Sequence, residues 1–239
     1  MDLSEIKVIA FDADDTLWVN EPLFRVAEEE FCELMKPFIE EKECASRLFD
    51  FEMQNLPLYG YGIKPFTLSL VEAAIALSDH SVDHATLLKI IEIGKKMLNA
   101  PVVVLDGVEA VLLALSRRTQ KQDDQRKFKL VMATKGDLLD QERKLEKSGL
   151  AKYFHHIEVM SDKQPANYQK LVRHLDIDPA HFLMVGNSMK SDILPVLQMG
   201  AAAVHIPFHT TWAHEVVDRE VRHDRLITIK EIGALTEHL

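Results

Sequence analysis

The sequence predicts an α/β fold, a parallel sheet with helices on both faces, interrupted near its start by an all-helical insertion. Three observations carry this. Short apolar, β-rich runs recur along the chain, and each after the first follows a segment with helical spacing. The first run ends abruptly in acidic residues, as a buried strand does when it delivers side chains from its carboxyl end. Residues from about 20 to about 100 contain no such run and keep a helical period instead.

The first strand is Ile6-Lys7-Val8-Ile9-Ala10-Phe11, placing Asp12 at its exit. The helical insertion occupies 19–100, with helical spacing over Leu23 to Phe51 and Thr67 to Leu98 and a turn-rich join at Leu56-Pro57-Leu58-Tyr59-Gly60-Tyr61-Gly62. The core then comprises 1–18 and 101–239. A helix over Val108 to Leu115 leads to Arg117 to Lys127, a stretch without an apolar residue whose mixed charges favour a solvated loop over a docking tail. Further strands follow at Lys129 to Thr134, Ile157 to Met160, Phe182 to Gly186 and Ala202 to Ile206.

Composition narrows the function. A chain of 239 residues can bury a full core as one α/β domain with an insertion or as two modest domains. No apolar run approaches the roughly eighteen residues needed to cross a bilayer, and the start, Met1-Asp2-Leu3-Ser4-Glu5, lacks the basic and apolar regions of a secretory signal. A cytoplasmic protein with no membrane partner is expected. The net charge of −10, from 28 basic and 38 acidic residues, argues against nucleic-acid binding, and the insertion shares it with 14 acidic and 8 basic side chains. Cys32 and Cys44 have neither a CxxC spacing nor an adjacent histidine pair, so they read as reduced thiols.

The chemistry centres on Asp12 and Asp14, two carboxylates two residues apart directly after a buried strand. One can attack an electrophile to form a covalent intermediate while the other gives a proton to the leaving group and later takes one from water. Such a pair alone also suits helix capping. Thr134 at the end of the second strand, Lys163 in Ser161-Asp162-Lys163-Gln164-Pro165, and Gly186-Asn187-Ser188-Met189-Lys190-Ser191-Asp192 follow in order at later strand ends.

Together these four segments resemble the motifs of the haloacid dehalogenase superfamily, and the likeness covers nearly the whole chain. It implies a Rossmann-like core with the helical insertion as a cap. It makes Asp12 the nucleophile and Asp14 the general acid/base, with Asp12, the Asp14 carbonyl and Asp192 holding magnesium. Thr134 and the backbone amides of Lys135 and Gly136 would bind the phosphoryl group, and Lys163 would balance its charge. Two departures stand out. Lys163 lacks the commoner Lys-Pro-x-Pro context, and Asn187 replaces a usual aspartate, leaving it a possible further ligand. Dehalogenases of the family do not carry an acid/base aspartate two residues after the nucleophile, because halide leaves without a proton, so Asp14 favours phosphate esters.

The expected activity is therefore a magnesium-dependent phosphatase acting on a small phosphorylated metabolite. A phosphomutase of the same superfamily and a non-catalytic ligand-binding member are the alternatives. Specificity is expected in the cap, with Tyr59-Gly60-Tyr61-Gly62 as the candidate turn, although its aromatics equally suit the cap's own core. Trp212, His205, His209 and His214 read as packing or capping residues and Lys190 as a solvated one, whereas Trp18, just after the first motif, is expected at the junction of core and cap, where it could equally brush the substrate.

Overall fold

The structure is a computed structural model that describes residues 3–118 and 128–239. Strand β1 (Val8–Phe11) leads into four helices, α1 (Glu21–Met35), α2 (Glu41–Tyr59), α3 (Ile63–Leu77) and α4 (His84–Asn99). There follow α5 (Val108–Arg118), β2 (Lys129–Lys135), α6 (Leu138–Ser148), β3 (His156–Met160), α7 (Pro165–His174), β4 (Phe182–Gly186), α8 (Leu194–Gln198), β5 (Ala202–His205) and β6 (Leu226–Thr228). The strands form one sheet in the order β3-β2-β1-β4-β5-β6.

Strand β1 lies in parallel between β2 and β4, with Ile9 opposite both Leu130 and Leu183. Alternation along each strand divides the core in two. Ile9, Phe11, Leu130, Met132, Leu183 and Val185 face one layer, closed by Val108, Val111, Leu112 and Leu115 of α5 and Leu145 of α6. Val8, Ala10, Val131, Ala133, Phe182 and Met184 face the other, under Tyr168, Leu171 and Val172 of α7 and Val196 and Leu197 of α8. Burial on both faces is why these strands read as unbroken apolar runs. The chain steps outward from β1 through β2 to β3 and then returns to β4 on the opposite side. That reversal falls at β1, and the carboxyl end of the strand at such a switch point is where these sheets usually bind ligands.

Residues Met1–Glu21, Val102–Thr134 and Arg143–Leu239 make up this sheet unit, whereas Pro22–Pro101 and Lys135–Glu142 form a second compact unit. The second unit has its own core, including Phe31, Met35, Leu48, Phe66, Leu70, Ile90 and Ile93, with Cys32 and Cys44 buried there as free thiols.

The two long helical stretches of the insertion are four helices, for local reasons. Pro37 follows Lys36 after α1 and disfavours helix at the residue before it. After α3, Asp79 and His80 take left-handed φ values of 49° and 62°, and Asp83 then caps α4 by accepting the Thr86 amide at 2.8 Å. Conversely, α2 runs through Pro57 to Tyr59, inside the segment expected to be a turn, and stops at Gly60, where φ is 76°. Helix α5 extends to Arg118, so Arg117 and Arg118 are helical rather than loop, and the rest of that expected loop lies outside the described residues. Strand β6, three residues long, had no sequence signal. Among the described residues no helix is long and apolar enough to cross a membrane.

Gly94 sets the closeness of α3 and α4: a Cβ there would lie 2.0 Å from Thr67 Oγ1. Helix propensity alone would make Gly94→Ala stabilising by up to about 1 kcal/mol. The overlap reverses that sign, and urea unfolding of the variant is expected to show a loss of about 1–3 kcal/mol.

Candidate active site

The strand ends bring the sequence motifs to one place. Asp12 leaves β1 with its amide bonded to the Val185 carbonyl at 2.9 Å, which fixes it beside β4. The turn after it is tight: the Ala13 carbonyl accepts the amides of Thr16, Leu17 and Trp18 at 2.8–3.3 Å. Asp15 makes the turn with a left-handed φ of 62°, and its carboxylate accepts the amides of Asn20 and Glu21 at 2.8 and 2.9 Å, so it caps the start of α1. Burial pushes the Asp15 carboxyl up to about 7 despite those amides.

Lys163, 2% exposed, reaches from beyond β3 to two carboxylates at once. Its ammonium donates to Asp12 Oδ1, and to Asp192 Oδ1 at 2.6 Å. Burial opposes the lysine's charge, but Asp12 and Asp192 outweigh it and hold the ammonium well above its ordinary range. Asp12 responds the other way: burial first and the Asp192 charge second raise it to about 7, against the pull of Lys163. The charge of Asp14 adds to the same rise.

Asp192 is positioned by its own turn. Ser188 N–H donates to Asp192 Oδ2 at 2.9 Å, the Asp192 amide returns to the Ser188 carbonyl at 2.8 Å, and Ser188 Oγ accepts the Ser191 amide at 3.0 Å. Only glycine fits before this turn, because a Cβ on Gly186 would lie 2.3 Å from Asp192 Oδ2. Asn187, which stands where an aspartate is usual, packs on motif one: its amide donates to Thr16 Oγ1 at 3.1 Å, and its side-chain oxygen lies 3.2 Å from the same hydroxyl. Thr16 Oγ1 is also 3.1 Å from Asp12 Oδ2, so Asn187 reaches Asp12 through one hydroxyl.

Thr134 is buried at the end of β2. Lys135, the next residue, belongs to the helical unit, where its ammonium sits 4.1 Å from the centre of the Tyr61 ring and its carbonyl accepts Gln141 Nε2 at 3.0 Å. In the same unit Lys64 pairs with Asp137 at 2.9 Å, and Tyr59 donates to Glu72 Oε1 at 2.6 Å. The loop after β5 is fastened to motif four. Lys190, exposed as expected, also donates to the His214 carbonyl at 2.7 Å, and Ser191 Oγ donates to Glu215 Oε1 at 2.8 Å. His205 caps the Asn187 carbonyl at 3.0 Å.

Sequence reasoning passed over two groups. Trp18 Nε1 donates to Asp14 Oδ1 at 2.7 Å, and Lys144 Nζ lies 3.0 Å from the same oxygen. Lys144 belongs to no motif, and its one signal is a lysine on the inward side of α6, between buried Gln141 and Leu145.

The donor set suits a hard divalent cation. Asp12 and Asp192 converge on a single ammonium, so two carboxylates share one positive charge. Among the described residues no three His, Cys, Asp or Glu side chains gather as a metal site. The two convergent carboxylates fit magnesium's habit of taking one or two carboxylates and filling its remaining positions with other oxygens.

The family model for haloacid dehalogenase-like hydrolases matches residues 6–200. Among solved structures, a haloacid dehalogenase-like family hydrolase from Xanthomonas campestris is similar at 33% identity and a TM-score of 0.82, over 96% of this chain and 88% of that one. A predicted phosphoglycolate phosphatase from Haemophilus somnus is similar at 15% identity and 0.62, over 99% of both chains. A 2-haloacid dehalogenase from Pseudomonas syringae is similar at 21% and 0.64, over 98% and 97%. The last two show the fold alone. No curated protein matches this chain.

The charge balance has a consequence for stability. Folded, Asp12 keeps its proton up to about pH 7, whereas the unfolded carboxyl loses it near its ordinary 3.8. Between these values the folded chain binds more protons, so this group's effect on stability worsens as pH rises. Asp12→Asn removes the titration. In chelator at pH 8 the variant is expected to melt above wild type, and the gap should close as pH falls through about 7 towards 4. A gap that instead widens on acidification contradicts this account.

Proposed function

The chain belongs to the haloacid dehalogenase-like hydrolase family, and from that premise we propose that it is a magnesium-dependent phosphatase of a small phosphorylated metabolite, acting in the cytoplasm. The observation that carries the reading is the second carboxylate. Asp14 is held at Oδ1 by Trp18 and Lys144 and adds its charge to the field at Asp12. Displacing a halide needs no such group, whereas expelling an alkoxide needs a proton donor. The likeness to a 2-haloacid dehalogenase is a likeness of fold.

In the first half-reaction an Asp12 carboxylate oxygen bonds to phosphorus as the ester P–O bond breaks, and protonated Asp14 gives its proton to the departing oxygen. In the second, Asp14, now a carboxylate, takes a proton from water. The water oxygen bonds to phosphorus, the Asp12–phosphorus bond breaks, and inorganic phosphate leaves. Lys163 balances the negative charge that gathers when an anionic nucleophile meets a phosphate. Thr134 and the amides of Lys135 and Gly136 bind the phosphoryl oxygens. Asp12, Asp192 and the Asp14 carbonyl would hold magnesium, which supplies further positive charge to the phosphoryl oxygens. The neutral Asn187 steadies Thr16 beside Asp12. The substrate class follows from the helical insertion between the first two motifs, which in this family goes with small metabolites.

The test is release of inorganic phosphate from p-nitrophenyl phosphate and a panel of sugar, nucleotide and glycolate-type phosphates, with halide release from 2-haloacids alongside. Magnesium-dependent phosphate release that chelator stops and Asp12→Asn abolishes is the expected result. Halide release without phosphate release would replace the reading with dehalogenation.

A further inference from the structure

Lys144 sits 130 residues from Asp14 in sequence, yet its ammonium lies 3.0 Å from Asp14 Oδ1, with its side chain only 12% exposed. The same oxygen accepts Trp18 Nε1 at 2.7 Å. Trp18 is fully buried and fixed through its backbone, which forms bridges with Asp14 on one side and Val104 on the other. Lys144 is fixed in turn by a second bond, to Asn20 Oδ1 at 2.7 Å. Asn20 is itself anchored, its amide bound by the Asp15 carboxylate at 2.8 Å. One carboxylate oxygen is therefore gripped from two directions by donors that are themselves held.

We propose that Lys144 is a positioning residue for proton transfer by Asp14, a role that rests on the phosphatase reading. A carboxylate turns easily about its last torsion, which is broad and two-fold. A general acid must nonetheless stay within about 2.6–3.2 Å of its partner. With Oδ1 committed to Trp18 and Lys144, the rotation is stopped and the proton is exchanged through Oδ2. Lys144 bonds Asp14 and Asn20, so its loss is expected to affect the proton steps ahead of substrate binding. A plain tether between α6 and the first motif would have no such selectivity.

The experiment compares wild type, Lys144→Met, Lys144→Arg and Trp18→Phe on two esters of similar shape, with magnesium present. Phenyl phosphate needs its leaving oxygen protonated, whereas p-nitrophenyl phosphate releases a stable phenolate without a proton. Lys144→Met is expected to lower kcat on phenyl phosphate by about 10-fold to 100-fold with KM little changed. On p-nitrophenyl phosphate it should keep a fast burst of nitrophenolate followed by slowed turnover, since only the water step then needs Asp14. Lys144→Arg should restore most of the loss, and Trp18→Phe should repeat the pattern more weakly. If Lys144→Met fails to fold, these two variants carry the comparison. Equal losses in burst and turnover on both esters, or no loss on either, overturn the proposal while wild type remains a phosphatase. A wild type that hydrolyses neither ester removes the phosphatase reading and this inference with it.

Discussion

The site depends on one buried cation shared by two buried carboxylates. Lys163 joins Asp12 at the exit of β1 to Asp192 in the turn after β4, so two carboxylates share one positive charge. Replacing such a cluster with apolar groups often leaves stability unchanged or improved, but deleting the lysine alone strands two buried carboxylates at a cost of about 3–5 kcal/mol. The cluster is thus poor evidence of stabilisation and good evidence of purpose. Burial and the neighbouring Asp192 push the Asp12 carboxyl up to about 7 against the pull of Lys163.

The rest of the sheet unit serves that arrangement. The order β3-β2-β1-β4 places the exits of β2, β1 and β4 side by side and leaves Lys163, three residues past β3, to span them. Gly186 removes the one Cβ that would displace Asp192. The left-handed Asp15 turns the chain so sharply that Trp18 comes back onto Asp14, and its buried carboxylate binds the amides that begin α1. A non-glycine residue in that conformation carries a strain of about 1 kcal/mol or more, retained here by the capping bonds that the side chain makes.

Much of this was legible because both kinds of signal are local. Buried parallel strands need apolar runs on both faces, so β1 to β5 stand out, and the side chains past their carboxyl ends fall at predictable places, as Asp12, Thr134 and Asp192 do. The helical insertion was legible as helix, but its divisions were not: left-handed Asp79 and His80 carry no periodic mark, and Pro57 was tolerated inside α2. Lys144 was invisible because its role arises from α6 meeting a turn 130 residues away. Lys190, fastened to the His214 carbonyl, was equally hidden, since its partner lies in a loop with no pattern of its own.

The central claim is that Asp12 carries the phosphoryl group between ester and water. Brief mixing with radiolabelled substrate phosphate, acid quench and borohydride reduction would convert an aspartyl phosphate to homoserine, located by peptide mass. Homoserine at position 12, absent from Asp12→Asn and enriched when Asp14→Asn slows the water step, is the predicted result. Phosphate turnover with label on another residue, or with no trapped intermediate under any of these conditions, would contradict it.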